Sequence, residues 1–365
     1  MSEATKPADA EAEITLIGPG FGESVVIHFG DNCWAIIDCC IDSRTRAPAP
    51  LSYLRSIGVD PSQSVKFVLA THWHNDHIGG IAELIETCES ATFSFPIGFS
   101  EPQFHKFVSV YHQKSTTVDN GVSDICSAFK HILDKASKCS LAIADRPIFS
   151  AKSVGYGHVT TITALSPSSG ECVNFLRMVA SVIPSPGSAV ARAPRPDSNL
   201  MSAATWLEIG PLSILLGADL EETGNPATGW TAVLGSTTRP QGAASLFKVP
   251  HHGSDNGHHS GVWSNMLTGH VLALVTPWNR GRGLPTKSDQ ARIVQLAPQS
   301  FITSARSGLA MRHGQTVART LREANAKLSR TEQPTGFIRA RAPISSGPIS
   351  WAVLCSPEAC SLQNY

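Results

Sequence analysis

Within six residues the chain places three histidines and an aspartate, in the order His72-Trp73-His74-Asn75-Asp76-His77. Side chains two apart in an extended segment share a face, so His72 and His74 can deliver both imidazoles to one divalent cation. Asp76 and His77 follow where the pattern turns helical, and from a helix start they can hold a second. Gly79 and Gly80 then remove side-chain bulk where that helix must pass close to the site. Metal-supported hydrolysis is the chemistry such a set performs: two cations bridge a water, lower its pKa towards neutrality and present hydroxide to a substrate whose oxygen they polarise. Asp76 is placed to orient that hydroxide or take its proton.

The elements that must position these groups are readable around them. The apolar run Val65-Lys66-Phe67-Val68-Leu69-Ala70 predicts a strand that ends where the histidine loop begins, and Ile78, Ile81, Leu84, Ile85 and Cys88 share one helical face after it. Upstream, ITLIG, SVVIHF and CWAIID read as a β-meander punctuated by Gly18 to Gly22 and by Gly30-Asp31-Asn32, with a helix near Leu51 to Ile57. Downstream, strands are expected within Leu141 to Leu165 and at Ala203 to Ile209, Leu212 to Leu216, Leu246 to Val249, Val271 to Thr276, Phe337 to Arg341 and Ile349 to Leu354. Helices are expected over Val122 to Lys138, Glu171 to Val182 and most of Ile293 to Arg330, with a mobile loop over Pro184 to Pro196. Alternating strands and helices with no internal repeat predict a layered α/β domain. Residues 1–12 are polar and expected to be a disordered tail, followed by one domain over 13–365. An insertion at about 90–198 shapes the substrate pocket, because candidate ligands lie on both sides of it.

The run His72 to His77, continued by Ile78-Gly79-Gly80, resembles the HxHxDH signature of the metallo-β-lactamase superfamily. That resemblance implies an αββα sandwich with an insertion between the first and second metal motifs. It implies that Asp38, in Ile36-Ile37-Asp38-Cys39, supports the metal loop, and that Asp219, in Gly217-Ala218-Asp219, bridges two metals. Val249-Pro250-His251-His252-Gly253 resembles the family's last ligand motif; its place before Gly253 favours His252 as the ligand, with His251 its rival. The chain is most similar to the soluble hydrolase domain of competence DNA-uptake channel proteins, through Gly20-Phe21-Gly22-Glu23-Ser24-Val25-Val26-Ile27, Asn199-Leu200-Met201-Ser202 and Lys248-Val249-Pro250-His251-His252-Gly253-Ser254. Most of the superfamily has a further histidine where this chain has Asn199, so the site served by His72 and His74 is expected to complete its shell with water or the Asn199 carbonyl. Zn²⁺ is the expected metal, and this oxygen-richer coordination also suits Mn²⁺.

The resemblance implies phosphodiester hydrolysis of a nucleic acid or a phosphate-bearing small molecule. Trp278 is a candidate to stack a base, and Arg280, Arg282, Lys287, Arg306 and Arg312 to contact phosphates. His251, His258 and His259 are candidates to protonate the leaving group. The same metals support hydrolysis of a carboxylic ester, thioester or lactone, and a non-catalytic, metal-stabilised partner-binding protein is the alternative of another class.

Composition narrows the setting. Of 365 residues 42% are hydrophobic and 16% charged, a globular balance. Net charge is zero, yet residues 1–100 carry 5 basic and 13 acidic side chains while 270–345 carry 12 and 3, and a basic face suits a phosphate-bearing substrate. The nine cysteines form no CxxC pair and read as mostly buried free thiols. With no long apolar run and no signal-like start, the chain is expected to be soluble, cytoplasmic and without membrane association.

Overall fold

The structure, a computed structural model, describes residues 5–20, 22–114, 124, 127–128, 138–183, 198–279, 283–305, 319–320, 323, 335–345 and 347–365. The expected helix over 122–138, the loop at 184–196 and the basic residues Arg280, Arg282, Arg306 and Arg312 lie outside these residues, wholly or for the most part.

Two eight-stranded sheets dominate. The first takes strands β1 (Glu11–Gly18), β2 (Ser24–His28), β3 (Trp34–Ile37), β4 (Val65–Leu69), β5 (Thr92–Pro96) and β6 (Cys139–Ala142). The second takes β7 (Arg146–Lys152), β8 (Val159–Ala164), β9 (Thr205–Ile209), β10 (Leu212–Leu216), β11 (Ala244–Lys248), β12 (Leu267–Val275) and β13 (Ser300–Ile302). The chain then returns with β14 (Gly336–Pro343), β15 (Ala352–Cys355) and β16 (Cys360–Ser361). The orders are β15-β14-β1-β2-β3-β4-β5-β6 and β16-β13-β12-β11-β10-β9-β8-β7. In each sheet an antiparallel meander passes into parallel strands, β3 to β6 in one and β10 to β13 in the other. Parallel strands finish at a common edge, so loops that follow β4, β10, β11 and β12 are brought together.

Covering on both faces explains the uninterrupted apolar strands. Every residue of β2 and of β11 is buried, as expected for strands packed above and below. Between the sheets Ile14, Ile27, Ile37, Phe67 and Leu69 meet Ile162, Leu207, Ile214, Leu246 and Leu272. Outside the first sheet Trp34, Ile36 and Val68 pack on helices Ala49–Ser56, Ile81–Thr87 and Ser169–Val182. Outside the second, Trp206, Leu215, Phe247 and Ala273 pack on helices Gly229–Gly235 and Lys287–Leu296. Helix, sheet, sheet and helix layers give the expected αββα sandwich. No helix among the described residues is long and apolar enough to cross a membrane.

Several local expectations change. β1 begins at Glu11, inside the stretch expected to be disordered, because Glu13 is anchored by Arg341 on β14 (2.7 Å) and by Tyr53 (2.6 Å). The 90–198 region gives β5 and β6 to one sheet and β7 and β8 to the other, so it is woven through both. Gly80 does not spare room for a metal: its φ is +80°, and a Cβ there would strike Ile41 Cδ1 at 2.7 Å, so the residue serves a left-handed turn against Ile41. Of the described cysteines only Cys39, Cys40 and Cys88 are buried, and Cys139 is exposed on an edge strand. Within 293–330, the strand Ser300–Ile302 replaces expected helix, drawn in by pairing with β12.

His28, at the end of β2, is fully buried, with Nδ1 2.8 Å from the Glu11 carbonyl. Burial pushes its pKa from 6.5 down to about 4. The unfolded chain therefore takes up a proton below pH 6.5 that the folded protein refuses until about pH 4, so stability is present above that window and lost as pH falls through it. His28→Phe should lose less stability than wild type between pH 6.5 and 4 in urea titrations; parallel losses would show that His28 is not the group responsible.

Candidate metal centre

The histidine loop leaves the end of β4 and closes into the short helix Asn75–Ile78, whose N-terminal cap residue is His74. Asp38, at the end of β3, organises it. Asp38 Oδ1 accepts from the Thr71 amide (2.7 Å), and Oδ2 accepts from Thr71 Oγ1 (2.7 Å) and from His77 Nδ1 (2.7 Å). With its proton given to Asp38, Thr71 Oγ1 is an acceptor for His72 Nδ1 at 3.0 Å. From the other sheet, His252 Nδ1 donates to the Thr276 carbonyl at 3.2 Å. Each of these three rings thus has a protein acceptor at Nδ1, which leaves Nε2 as the nitrogen that carries the lone pair.

All three Nε2 atoms face Asp219. Its Oδ2 lies 3.4 Å from His77 Nε2, 3.7 Å from His252 Nε2 and 3.9 Å from His72 Nε2, and Asp76 Oδ2 lies 3.3 Å from His252 Nε2 and 3.6 Å from His77 Nε2. One donor atom from each of Asp76, His77, Asp219 and His252 falls within 4.8 Å of the others. His72 Nε2, His77 Nε2 and Asp219 Oδ1 are buried with no hydrogen-bond partner. Buried polar atoms left in that state are costly, and a divalent cation would satisfy the nitrogens. The residues present therefore fit such a metal. His74, half-buried, stands edge-on to His72 with ring centres 5.0 Å apart, beside the four-donor cluster and not in it.

Electrostatics agree with that reading. Burial alone would favour a neutral His77, but Asp219, Asp76, Glu23 and Asp38 outweigh it and hold its pKa well above the ordinary histidine value. His252 is raised in the same way, against burial, by Asp219 and Asp76. Burial and the neighbouring His77 push His72 down. Burial opposes the charged form of Asp219, yet His77 and His252 hold its carboxyl well below the usual range; at Asp38 burial prevails and the pKa rises. Protons on two imidazoles are what a bound cation would displace.

Between the rivals, His252 is the histidine that enters the cluster. His251 turns to Glu221, with Nδ1 3.3 Å from Oε1, and Asn199 Nδ2 donates to the same oxygen at 2.8 Å while lying 3.5 Å from His251 Nε2. His251 and Asn199 thus flank the centre together with Glu221, a residue the sequence did not single out. Backbone strain marks the turn: His251, His252 and Gly253 have φ of 48°, 54° and 77°, and Asp38 and Ala218 are also left-handed at 60° and 44°. Gly253 adopts this region freely, but the four non-glycine residues cost about 1–2 kcal/mol each, and their gathering around one cluster fits stored strain at a functional site.

Trp278 is half-buried, its ring centre 5.6 Å from that of His252, so it lies beside the centre. Lys287 is exposed at the start of the helix Lys287–Leu296. His258 Nδ1 accepts from Trp263 Nε1 (3.1 Å), and His259 Nδ1 caps the helix Ser260–Asn265 by accepting from the Gly261 amide (2.9 Å), so each ring holds its proton on Nε2. Arg292 spends its guanidinium on Asp255, Asp289 and the Gly253 carbonyl, holding the His-His-Gly turn.

Two buried charges escaped sequence reasoning. Lys248 ends β11 with its ammonium on Glu23, and Glu23 Oε2 accepts from Thr276 Oγ1 at 2.5 Å. A lysine at the close of the apolar run Leu246-Phe247 was the available signal, since lysine is almost never fully buried unless paired.

Residues 17–114 match the model of the metallo-beta-lactamase superfamily, a span that includes Asp38 and the whole histidine loop. That segment of the chain is therefore similar to the superfamily's domain. Among solved structures, the metallo-beta-lactamase fold protein YhfI from Bacillus subtilis is 12% identical with a TM-score of 0.40, over 82% of this chain and 98% of that one. The hydrolase AbOPH of the beta lactamase superfamily is 13% identical with a TM-score of 0.35, over 59% and 72% of the two chains. The metallo-beta-lactamase SMB-1 is 11% identical with a TM-score of 0.34, over 67% and 81%. No curated protein matches the sequence.

Asp38→Asn preserves shape and tolerates the left-handed backbone, but it puts an amide where two donors converge. It should weaken metal binding about 10–100-fold, read by competition with a chromogenic chelator. Wild-type affinity in a folded Asp38→Asn protein would show that Asp38 does not orient His77.

Proposed function

We propose that the protein is a metal-dependent hydrolase that cleaves phosphodiesters in a nucleic acid or a phosphate-bearing small molecule. The observation that carries the hydrolase reading is the shared arrangement of His72, His77 and His252, whose Nε2 atoms converge on Asp219 while acceptors occupy each Nδ1. Divalent cations, Zn²⁺ or Mn²⁺, would supply activation of water and polarisation of the scissile group. His72, His77, Asp76, Asp219 and His252 would hold them, with His74 at the margin.

The chain's own groups take the remaining roles. Asp76 is the carboxylate placed to orient the nucleophile, since its Oδ2 faces both His77 and His252. His251, at the rim and steadied by Glu221, is placed to give a proton to the leaving oxygen. The phosphodiester preference is supported by the likeness of Lys248 to Ser254 to the competence-type hydrolases and by Trp278 beside the centre, where a base could stack.

Protein reconstituted with Zn²⁺ or Mn²⁺ should release nitrophenol from bis(p-nitrophenyl) phosphate and lose that activity on chelation. Asp76→Asn should cost roughly 10²-fold or more in kcat. Turnover of p-nitrophenyl acetate or a lactone without the phosphodiester would move the assignment to carboxylic ester chemistry. A metal-loaded protein that turns over neither would be a binding protein.

A further inference from the structure

Asp219 is the residue on which the candidate centre converges, and its two oxygens sit in different surroundings. Oδ2 faces three imidazole nitrogens at 3.4, 3.7 and 3.9 Å. Oδ1 is buried without a hydrogen-bond partner and lies 3.8 Å from Lys248 Nζ. The Asp219 amide donates to Ser202 Oγ at 2.8 Å, which pins the main chain and leaves the carboxylate to be oriented by its neighbours.

We propose that the buried Glu23–Lys248 pair is a positioning device that makes Asp219 offer Oδ2 alone to the metal centre and keeps Oδ1 out of it. The inference rests on the reading of Asp219 as a metal ligand. Lys248 Nζ donates to the Ala218 carbonyl at 2.8 Å, gripping the chain one residue before Asp219, and the same carbonyl accepts from the His251 amide at 3.0 Å. Glu23 holds Lys248 and reaches the other ligand loops. Its amide donates to the Asp76 carbonyl at 2.9 Å, and its Oε2 accepts from Thr276, whose carbonyl in turn receives His252 Nδ1. Gly22 makes this approach possible: its φ is +88°, and a Cβ there would come within 2.8 Å of the Asp76 carbonyl. One ion pair therefore touches the Asp76, Asp219 and His252 loops.

Stability gives a weak reason for such a pair, because burying two charges costs several kcal/mol per ion before their attraction is counted, and well-packed apolar replacements are often as stable. Direction gives a better one. An ammonium held beside Oδ1 would repel a cation from that oxygen and leave Oδ2 as the oxygen Asp219 presents to the cluster. Without it, both oxygens would be open to one cation, at the expense of a second.

Cobalt(II) is the probe, because its d–d absorption reports coordination geometry whether or not the enzyme turns over. The test compares wild type, Lys248→Met and the double variant Glu23→Gln/Lys248→Met, which leaves no unpaired buried charge. Wild type should bind about two Co²⁺ per chain, and the folded variants about one with a changed spectrum. A folded double variant with wild-type stoichiometry and spectrum overturns the positioning role and leaves the metal centre standing. Failure of the double variant to fold also overturns it, since the pair would then be holding the sheets together instead of orienting a ligand. Wild type that binds less than about half a cobalt after reconstitution removes the metal centre itself, and the inference with it.

Discussion

Four carboxylates, Glu23, Asp38, Asp76 and Asp219, lie at or just below the surface of the sandwich end where its parallel strands finish, and none of them is more than one-tenth exposed. Charges taken out of water cost several kcal/mol each unless they are paired and hydrogen-bonded. Much of the local architecture answers that constraint. Thr71 and His77 close on Asp38, Lys248 on Glu23, and the imidazoles of His77 and His252 on Asp76 and Asp219. The left-handed backbone at Asp38, Ala218, His251 and His252 is what it takes to bring those partners within reach from separate strands.

The sheets make the convergence possible. Each runs from an antiparallel meander into parallel strands, and the two sets of strand ends meet at one edge. The His72 to His77 loop comes from the first sheet, whereas Asp219, His252 and Thr276 come from the second. The intervening strands β5 to β8 are shared between the sheets, which explains how motifs more than a hundred residues apart arrive at one cluster.

Much of this was legible in the sequence because the signals are local. Strand β4 ends in an apolar run, the histidine loop follows at once, and the face made by Ile78, Ile81, Leu84, Ile85 and Cys88 is buried as the helical spacing required. The central position of Asp219 and the choice of His252 needed the family resemblance, since a lone Gly-Ala-Asp or His-His-Gly carries no such signal by itself. What was not legible depends on contacts distant in sequence. Glu23 and Lys248 are 225 positions apart, so no spacing rule pairs them. Gly80 was misread because its neighbour Ile41 lies on another loop.

The placement of the ligands has a mechanical corollary. Since the first sheet supplies His72, Asp76 and His77 and the second supplies Asp219 and His252, a cation seated among them would act as a clasp across the seam between the sheets. The clasp closes one edge only. At the opposite edge the sheets are held by side-chain packing such as Ile14 and Ile27 against Leu207 and by the hairpin loop whose Ser153 reaches Asp31 at 2.7 Å. Loading the centre would stiffen the sandwich unevenly, like a book pinned along one side, with the slow opening motions confined to the far edge.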